Sequence, residues 1–279
     1  MEFTEWNPND YSAVSCPPFE TLPVVTDGYE EIEALNWSTL SRFLKEPAYF
    51  KRNPDWKLES KSFELGLYIH RMLLESDHYG GLYDEFVPPT NPTTGESYKS
   101  GKKYQEALDA FNASGKFAVP ERGRTILAEI KENLASHDLL KWLDGEKEVA
   151  LTGEWRGLKL KGRLDVYSED LGIVDLKTTS SQLYSLDQDY YRFKIREYCY
   201  TEQLAFYATL VELATGSRPP CSILAVQTTV PYQVCLYEFN PDLIKVTSQK
   251  ILDELIPAFQ EYKLGGVPNL YARREVKFL

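Results

Sequence analysis

Asp165, Asp175 and Lys177 lie in two short stretches that read as neighbouring strands. The first is Lys161-Gly162-Arg163-Leu164-Asp165-Val166-Tyr167, and the second is Ile173-Val174-Asp175-Leu176-Lys177-Thr178-Thr179. Alternate side chains of a strand share a face, so Asp175 and Lys177 are expected to point one way, with Val174 and Leu176 opposite. On the first strand Lys161, Arg163 and Asp165 share a face, with Leu160, Leu164 and Val166 opposite. An antiparallel hairpin would bring both aspartates and the lysine to one point. Two carboxylates suit a hard cation such as Mg²⁺, which keeps positions for water and a substrate phosphate. A lysine beside them can position or deprotonate water and offset charge developing on the phosphate.

The same residues could form a salt bridge between solvated strand faces, because Asp-x-Lys is a common pattern. Three features favour chemistry. Asp175 interrupts the apolar run Gly172-Ile-Val-Asp-Leu-Lys177, where a charge is costly without a partner or metal. Gly66 lies four residues before His70 in an apparent helix; a helical glycine costs about 1 kcal/mol relative to alanine, so something is expected to approach that face closely. Gln203 and Tyr207 are spaced i, i+4 and share a helix face.

The elements that must position these residues follow from periodicity and punctuation. Residues 1–35 read as an irregular leader with Pro17, Pro18, Pro23 and an acidic run at Glu30, Glu31 and Glu33. A helix starts near Asn36 to Ser38, carries Leu40, Phe43 and Leu44, and is interrupted by Pro47. A second helix spans about Ser62 to Glu75, Pro88 to Gly101 is a loop, and helices follow near 102–113 and 121–143. Strands are expected at 147–152, 155–167 and 171–178, with a turn at Ser168 to Asp170. A long helix over 196–214 ends at Gly216. Strands near 221–229 and 233–239 precede a last helix, capped by Asn240 with Pro241, that runs to about Lys263. The pattern predicts one α/β domain over 36–279, with a helical part at 36–145 and a core at 146–265.

Composition limits the possibilities. The 43% hydrophobic content supports a sizeable core, and no run approaches the ~20 apolar residues of a membrane span. The first residues are acidic and polar, unlike a secretory signal. Cys16, Cys199, Cys221 and Cys235 are scattered, as free thiols of a reducing cytoplasm would be, and their spacing does not suit an iron–sulfur cluster. The net charge of −11 argues against a simple nucleic-acid binder, because DNA affinity comes largely from Lys and Arg at phosphates.

As an ordered set, Gly66…His70, Lys161-Gly-Arg-Leu-Asp165, Val174-Asp-Leu-Lys-Thr-Thr179 and Tyr200…Gln203-Leu-Ala-Phe-Tyr207 resemble the RecE-type (exonuclease VIII) branch of the PD-(D/E)XK nucleases, relatives of the RecB nuclease domain. Leu40-Ser41-Arg42-Phe43-Leu44 with Pro47 and Tyr49, Gly101-Lys102-Lys103-Tyr104, and Pro231-Tyr232 extend the likeness over roughly residues 36–262. Leu164 stands where the family signature has its proline. The resemblance implies an α/β fold with a central mixed sheet flanked by helices and a helical N-terminal elaboration. It implies His70, Asp165, Asp175 and the backbone carbonyl of Leu176 as metal ligands, and Lys177 as the catalytic lysine. Gln203, Tyr207, Thr178, Thr179, Arg163 and Lys161 are the implied substrate contacts. It further implies Mg²⁺, with Mn²⁺ able to substitute, and digestion of linear double-stranded DNA from its ends into single-stranded tails. Implied partners are a single-strand annealing protein of the RecT type and further copies of the chain in a ring, acting in the host cytoplasm of a phage-encoded system. A ring would reconcile the acidic total, since only its channel need be basic. An endonuclease or repair nuclease on the same fold, or a non-catalytic DNA-binding assembly protein, are the alternatives.

Overall fold

The computed structural model describes residues 28–45, 61–185 and 188–265. Most of the leader, Pro47, Tyr49, Cys16 and the basic tail lie outside the described residues. In chain order the elements are α1 (Trp37–Lys45), α2 (Lys61–Leu74), α3 (Ser76–Tyr79), β1 (Tyr83–Asp84), α4 (Lys102–Ala113), β2 (Phe117–Ala118), α5 (Gly123–Ser136), β3 (Glu146–Trp155), β4 (Leu158–Ser168) and β5 (Gly172–Thr179). Then follow α6 (Tyr191–Glu197), α7 (Tyr200–Thr215), β6 (Cys221–Gln227), β7 (Val234–Glu238), α8 (Pro241–Lys250) and α9 (Ile256–Lys263). No helix among the described residues is long and apolar enough to cross a membrane.

Strands β3 to β7 form one mixed sheet in sequence order. All neighbours are antiparallel except the parallel pair β5–β6, which α6 and α7 connect. One face packs Leu164, Ile173, Ile223 and Ala225 against α1, α7, α8 and α9. The other packs Val166, Val174, Leu176 and Leu224 against Tyr68 and Ile69 of α2 and Ile126, Ile130 and Leu134 of α5. Helices thus flank a mixed sheet on both sides, as expected from the sequence.

Local signals explain the boundaries. The Asn36 Oδ1 accepts from the Thr39 N–H at 2.9 Å, and the Asn240 Oδ1 accepts from that of Asp242 at 2.8 Å, so both are true N-caps. Gly216 closes α7 in the left-handed conformation. Several expected boundaries move. The helix expected over 121–143 stops at Ser136, because Asp138 turns left-handed (φ 55°), and a short 3₁₀ turn, Leu140–Leu143, follows. The helix expected from 196 is two helices, broken at Cys199 with φ 56°. The turn between β3 and β4 is Arg156-Gly157, both at positive φ, which suits a two-residue hairpin, and not the break near 153 expected from the pattern. The last helix contains a π-helical stretch, Ile251–Leu255, just before Pro257, a residue with no N–H to give the helical ladder.

β4 and β5 pair over only three positions, Val166↔Val174, Tyr167↔Ile173 and Ser168↔Gly172. Beyond them the strands diverge at Asp165 and Asp175. That divergence makes room for the candidate site.

Candidate active site

His70 comes from α2, and Gly66 one turn earlier sets the helix close to β5. A Cβ at Gly66 would lie 2.7 Å from the Thr178 Oγ1; this is the close approach that the glycine suggested. Buried Tyr68 and Ile69 fix the rotation of α2, leaving His70 over β3 and β4. Its Nε2 lies 3.2 Å from the Asp165 Oδ2, and its Nδ1 lies 3.7 Å from the Glu148 Oε1.

Glu148 was not singled out in the sequence. It sits on β3 between Lys147, paired with Val166, and Val149, paired with Leu164, so it faces Asp165 across a gap in the ladder. Its φ of 51° is left-handed, a conformation that costs a non-glycine residue about 1–3 kcal/mol and tends to mark functional sites. The Arg163 Nε lies 2.8 Å from the Glu148 Oε2. The buried Oε1 has no hydrogen-bond partner among the described residues. Burial, then the Asp165 charge, push the Glu148 carboxyl up to about 7. Glu148 follows Glu146 and Lys147 and reads as the end of a charged run before Val149-Ala-Leu151, so no local signal marked it.

Asp165 occupies the gap where β4 leaves β5. Its Oδ2 accepts from the Leu176 N–H at 2.8 Å, a donor that the diverging strands free from the ladder. Burial alone would raise its pKa, but His70, Lys177 and that N–H outweigh burial and lower it. Burial likewise opposes the charged form of His70, yet Asp165 and Glu148 prevail and raise its pKa. One donor atom from each of His70, Glu148 and Asp165 lies within 4.8 Å of the others, and the carboxylates are suited to a divalent cation.

Asp175 and Lys177 are a neighbouring ion pair. They share a face with Ile173, which packs toward α7, whereas α2 covers the opposite face. The Lys177 Nζ lies 2.6 Å from the Asp175 Oδ2, a buried ion pair beside which Asp175 accepts no other hydrogen bond among the described residues. Burial raises the Asp175 carboxyl to about 6 against the lowering influence of Lys177. Desolvation works against the Lys177 ammonium, but Asp175 and Asp165 hold its pKa above the ordinary range. Its Nζ also sits 4.7 Å from the centre of the Tyr200 ring. With Asp165 in the gap between the strands, His70, Asp165, Asp175 and Lys177 act on one another's charge.

The remaining expected contacts divide. Thr178, Thr179 and Arg163 line a cavity of about 970 Å³, together with His70, Glu148, Lys194 and Tyr198. Gln203 donates from Nε2 to the Tyr207 hydroxyl at 3.2 Å. Tyr207 packs against β4 where Gly162 leaves room, its ring within 3.1 Å of a notional Cβ there, and neither residue lines the cavity. Lys161 needs correction as a substrate contact. It is buried, donates to the Tyr29 carbonyl at 2.7 Å and lies 4.5 Å from the Tyr29 ring centre. Its ammonium tethers the segment before α1 to the sheet, and the Leu35↔Leu160 bridge adds a second tie.

Comparison with known proteins agrees with this architecture. A family model described as a PDDEXK-like domain of unknown function (DUF3799) matches residues 37–268. Among solved structures, a Eubacterium rectale protein provisionally named an exonuclease is similar, with TM-score 0.56 and 20% identity over 91% of this chain and 93% of that one. At that identity the likeness concerns the fold. The structure named SSO0001 aligns over 86% of this chain and 97% of its own, at 14% identity and TM-score 0.26, too low to carry an argument. No curated protein matches the chain.

Proposed function

The chain belongs to the PDDEXK-like domain family (DUF3799) and has the PD-(D/E)XK nuclease fold, and from that premise we propose that it is a divalent-metal-dependent deoxyribonuclease that digests linear double-stranded DNA from its ends. The observation that carries this reading is the cluster of His70, Glu148 and Asp165, with one donor atom of each within 4.8 Å of the others, beside the buried Asp175–Lys177 pair. Carboxylates crowded together disfavour their charged forms, and a divalent cation would compensate them. Asp165, Asp175 and His70, with the Leu176 carbonyl, would hold the ion, and Glu148 is placed to join them. When bound, Mg²⁺ or Mn²⁺ supplies Lewis-acid charge at the scissile phosphate and activates water for attack.

The protein's own groups do the rest. The Leu176 N–H fixes the Asp165 carboxylate. His70 is oriented between two carboxylates and must release its proton to act as a ligand. Lys177 is held cationic by its neighbours, so its part is to orient water and offset charge on the phosphate in the transition state. Arg163 and the Thr178 and Thr179 hydroxyls face the cavity for phosphate contacts. Production of single-stranded tails for an annealing partner, and assembly into a ring, belong to the same proposal.

The test is incubation with linear and with covalently closed duplex DNA, in Mg²⁺ and in EDTA. Degradation of the linear form alone, abolished by EDTA, is expected. Cutting of closed circles would replace the exonuclease by an endonuclease, and no cutting in Mg²⁺ or Mn²⁺ would overturn the reading.

A further inference from the structure

Two parts of the cavity lining suit a nucleic-acid strand. Residues at the ends of β5 and β6 contribute hydroxyls, among them Thr178, Thr179, Ser181 and Thr229. Aromatic rings line another part. Tyr198 at the C-terminal end of α6 and Phe63 near the start of α2 both line it, and they are 43% and 57% exposed. Exposed aromatics scattered singly need no explanation, but these two border one cavity. From the rim, the Tyr198 ring lies 5.6 Å from that of Tyr200, which lies 6.4 Å from that of Tyr191, each pair tilted by 32°. The series leads from solvent to Tyr200, the ring beside the Lys177 ammonium.

Cations accompany the rings. The ammonium groups of Lys45 and Lys194 each lie 5.4 Å from the centre of Tyr198, and Lys194 also pairs with Glu197 at 2.7 Å. In a chain of net charge −11, α6 carries Arg192, Lys194 and Arg196 against Glu197 alone. Glu30 and Glu75 also line the cavity, and their charges would turn phosphates away from that part of it.

Every nucleobase has a flat face that stacks on an aromatic ring whatever its identity, while neighbouring cations hold the backbone. In a duplex those faces are covered by neighbouring pairs except at the terminal pair, whereas an unpaired strand offers several in succession. We propose that the substrate strand reaches Lys177 unpaired, its bases stacked on Tyr198 and Phe63 and its phosphates along the hydroxyls and Lys194. This rests on the nuclease reading and specifies its substrate as a frayed or tailed DNA end.

The test measures binding in EDTA, where no strand is cut, by anisotropy of labelled duplexes that end blunt or in an unpaired tail of about four nucleotides. A 2-aminopurine in the tail reports stacking by its quenching. The wild-type protein should bind the tailed end about tenfold more tightly, the scale of one base–aromatic stack, and quench the probe. Tyr198→Ala should reduce the preference to about twofold or less, and Tyr198→Trp should restore it. If Tyr198→Ala does not fold, Phe63→Ala serves the same comparison. Equal affinity of the wild-type protein for both ends, or full preference and quenching in the alanine variant, would overturn the proposal. A tail preference in a protein that cuts no DNA in Mg²⁺ would support this surface and sink the nuclease reading, whereas cutting without the preference would do the reverse.

Discussion

Glu148 and Asp165 stand at facing positions of β3 and β4, and the single imidazole of His70 lies within 3.7 Å of both carboxylates. A buried and a half-buried carboxylate so close favour holding a proton when no metal is bound. The folded protein keeps the Glu148 proton up to about pH 7, whereas an unfolded glutamate releases it near 4.3. Metal-free stability should therefore fall as pH rises through roughly 4.5 to 7, because the native state binds more protons there. Glu148→Gln removes this dependence. In EDTA its melting temperature should exceed that of the wild type at pH 8 by more than at pH 5, a difference on the order of 1–3 kcal/mol. An advantage larger at pH 5 would contradict the assignment.

The two aspartates and the lysine should separate in calorimetry. Asp165→Asn and Asp175→Asn each remove a charged oxygen and should weaken divalent-ion binding while lowering turnover at least about a hundredfold. Lys177→Met should leave ion affinity within a few-fold and still cost about 10²–10³ in kcat, since its ammonium acts on transition-state charge. Loss of ion binding in Lys177→Met would make it a support for Asp175 instead.

His70→Ala tests whether the imidazole belongs to the chemistry. Its side chain borders the cavity instead of filling the core, so the melting temperature should change little while turnover falls severely. A lower melting temperature with nearly normal turnover per folded molecule would mark His70 as a packing residue.

Gly66→Ala should act on His70 from a distance. The new Cβ would meet the Thr178 Oγ1 at 2.7 Å, and the β-branched threonine has little freedom to rotate away. Better helix propensity returns about 1 kcal/mol, and overpacking costs about 1–3 kcal/mol, so the net is a destabilisation of about 0–2 kcal/mol. Turnover should drop much more, because α2 and its histidine are displaced. Thr178→Ala in the same chain should recover part of the loss beyond its own effect, and a purely additive pair would refute the contact.

Much of the site could be read from the chain because its residues announce themselves locally. Asp175 interrupts an apolar strand, and Gly66 sits inside a helix where alanine would be favoured; both anomalies mark close approaches that the structure contains. Glu148 stayed hidden, since its importance depends on a left-handed backbone and on facing Asp165, neither of which is written in local spacing. Lys161 misled for the opposite reason. Strand alternation gave its face correctly but could not show that Tyr29, more than a hundred residues earlier, covers it. The gap that holds Asp165 was equally illegible, because regular alternation assumes that β4 and β5 stay paired, and they part after three positions. The break at Cys199 rests on a non-glycine left-handed residue that no turn signal foretold.

The two helical layers hold the sheet unequally. On one face α1, α7, α8 and α9 build a broad core; on the other, α2 and α5 carry a smaller one, and it is this lighter layer that delivers His70. Local opening draws on the regions with the least buried contact. The layer bearing α2 can therefore lift from the sheet at less cost than global unfolding, dismantling the site while β3 to β7 stay folded. Amide hydrogens of α2 should exchange faster than those of α7 in the metal-free protein, and a divalent ion should slow them selectively. Equal protection of both helices, unaffected by metal, would show that the layers move as one. Gripping an ion and closing the protein would then be a single event, coupling the readiness of the enzyme to the metal around it.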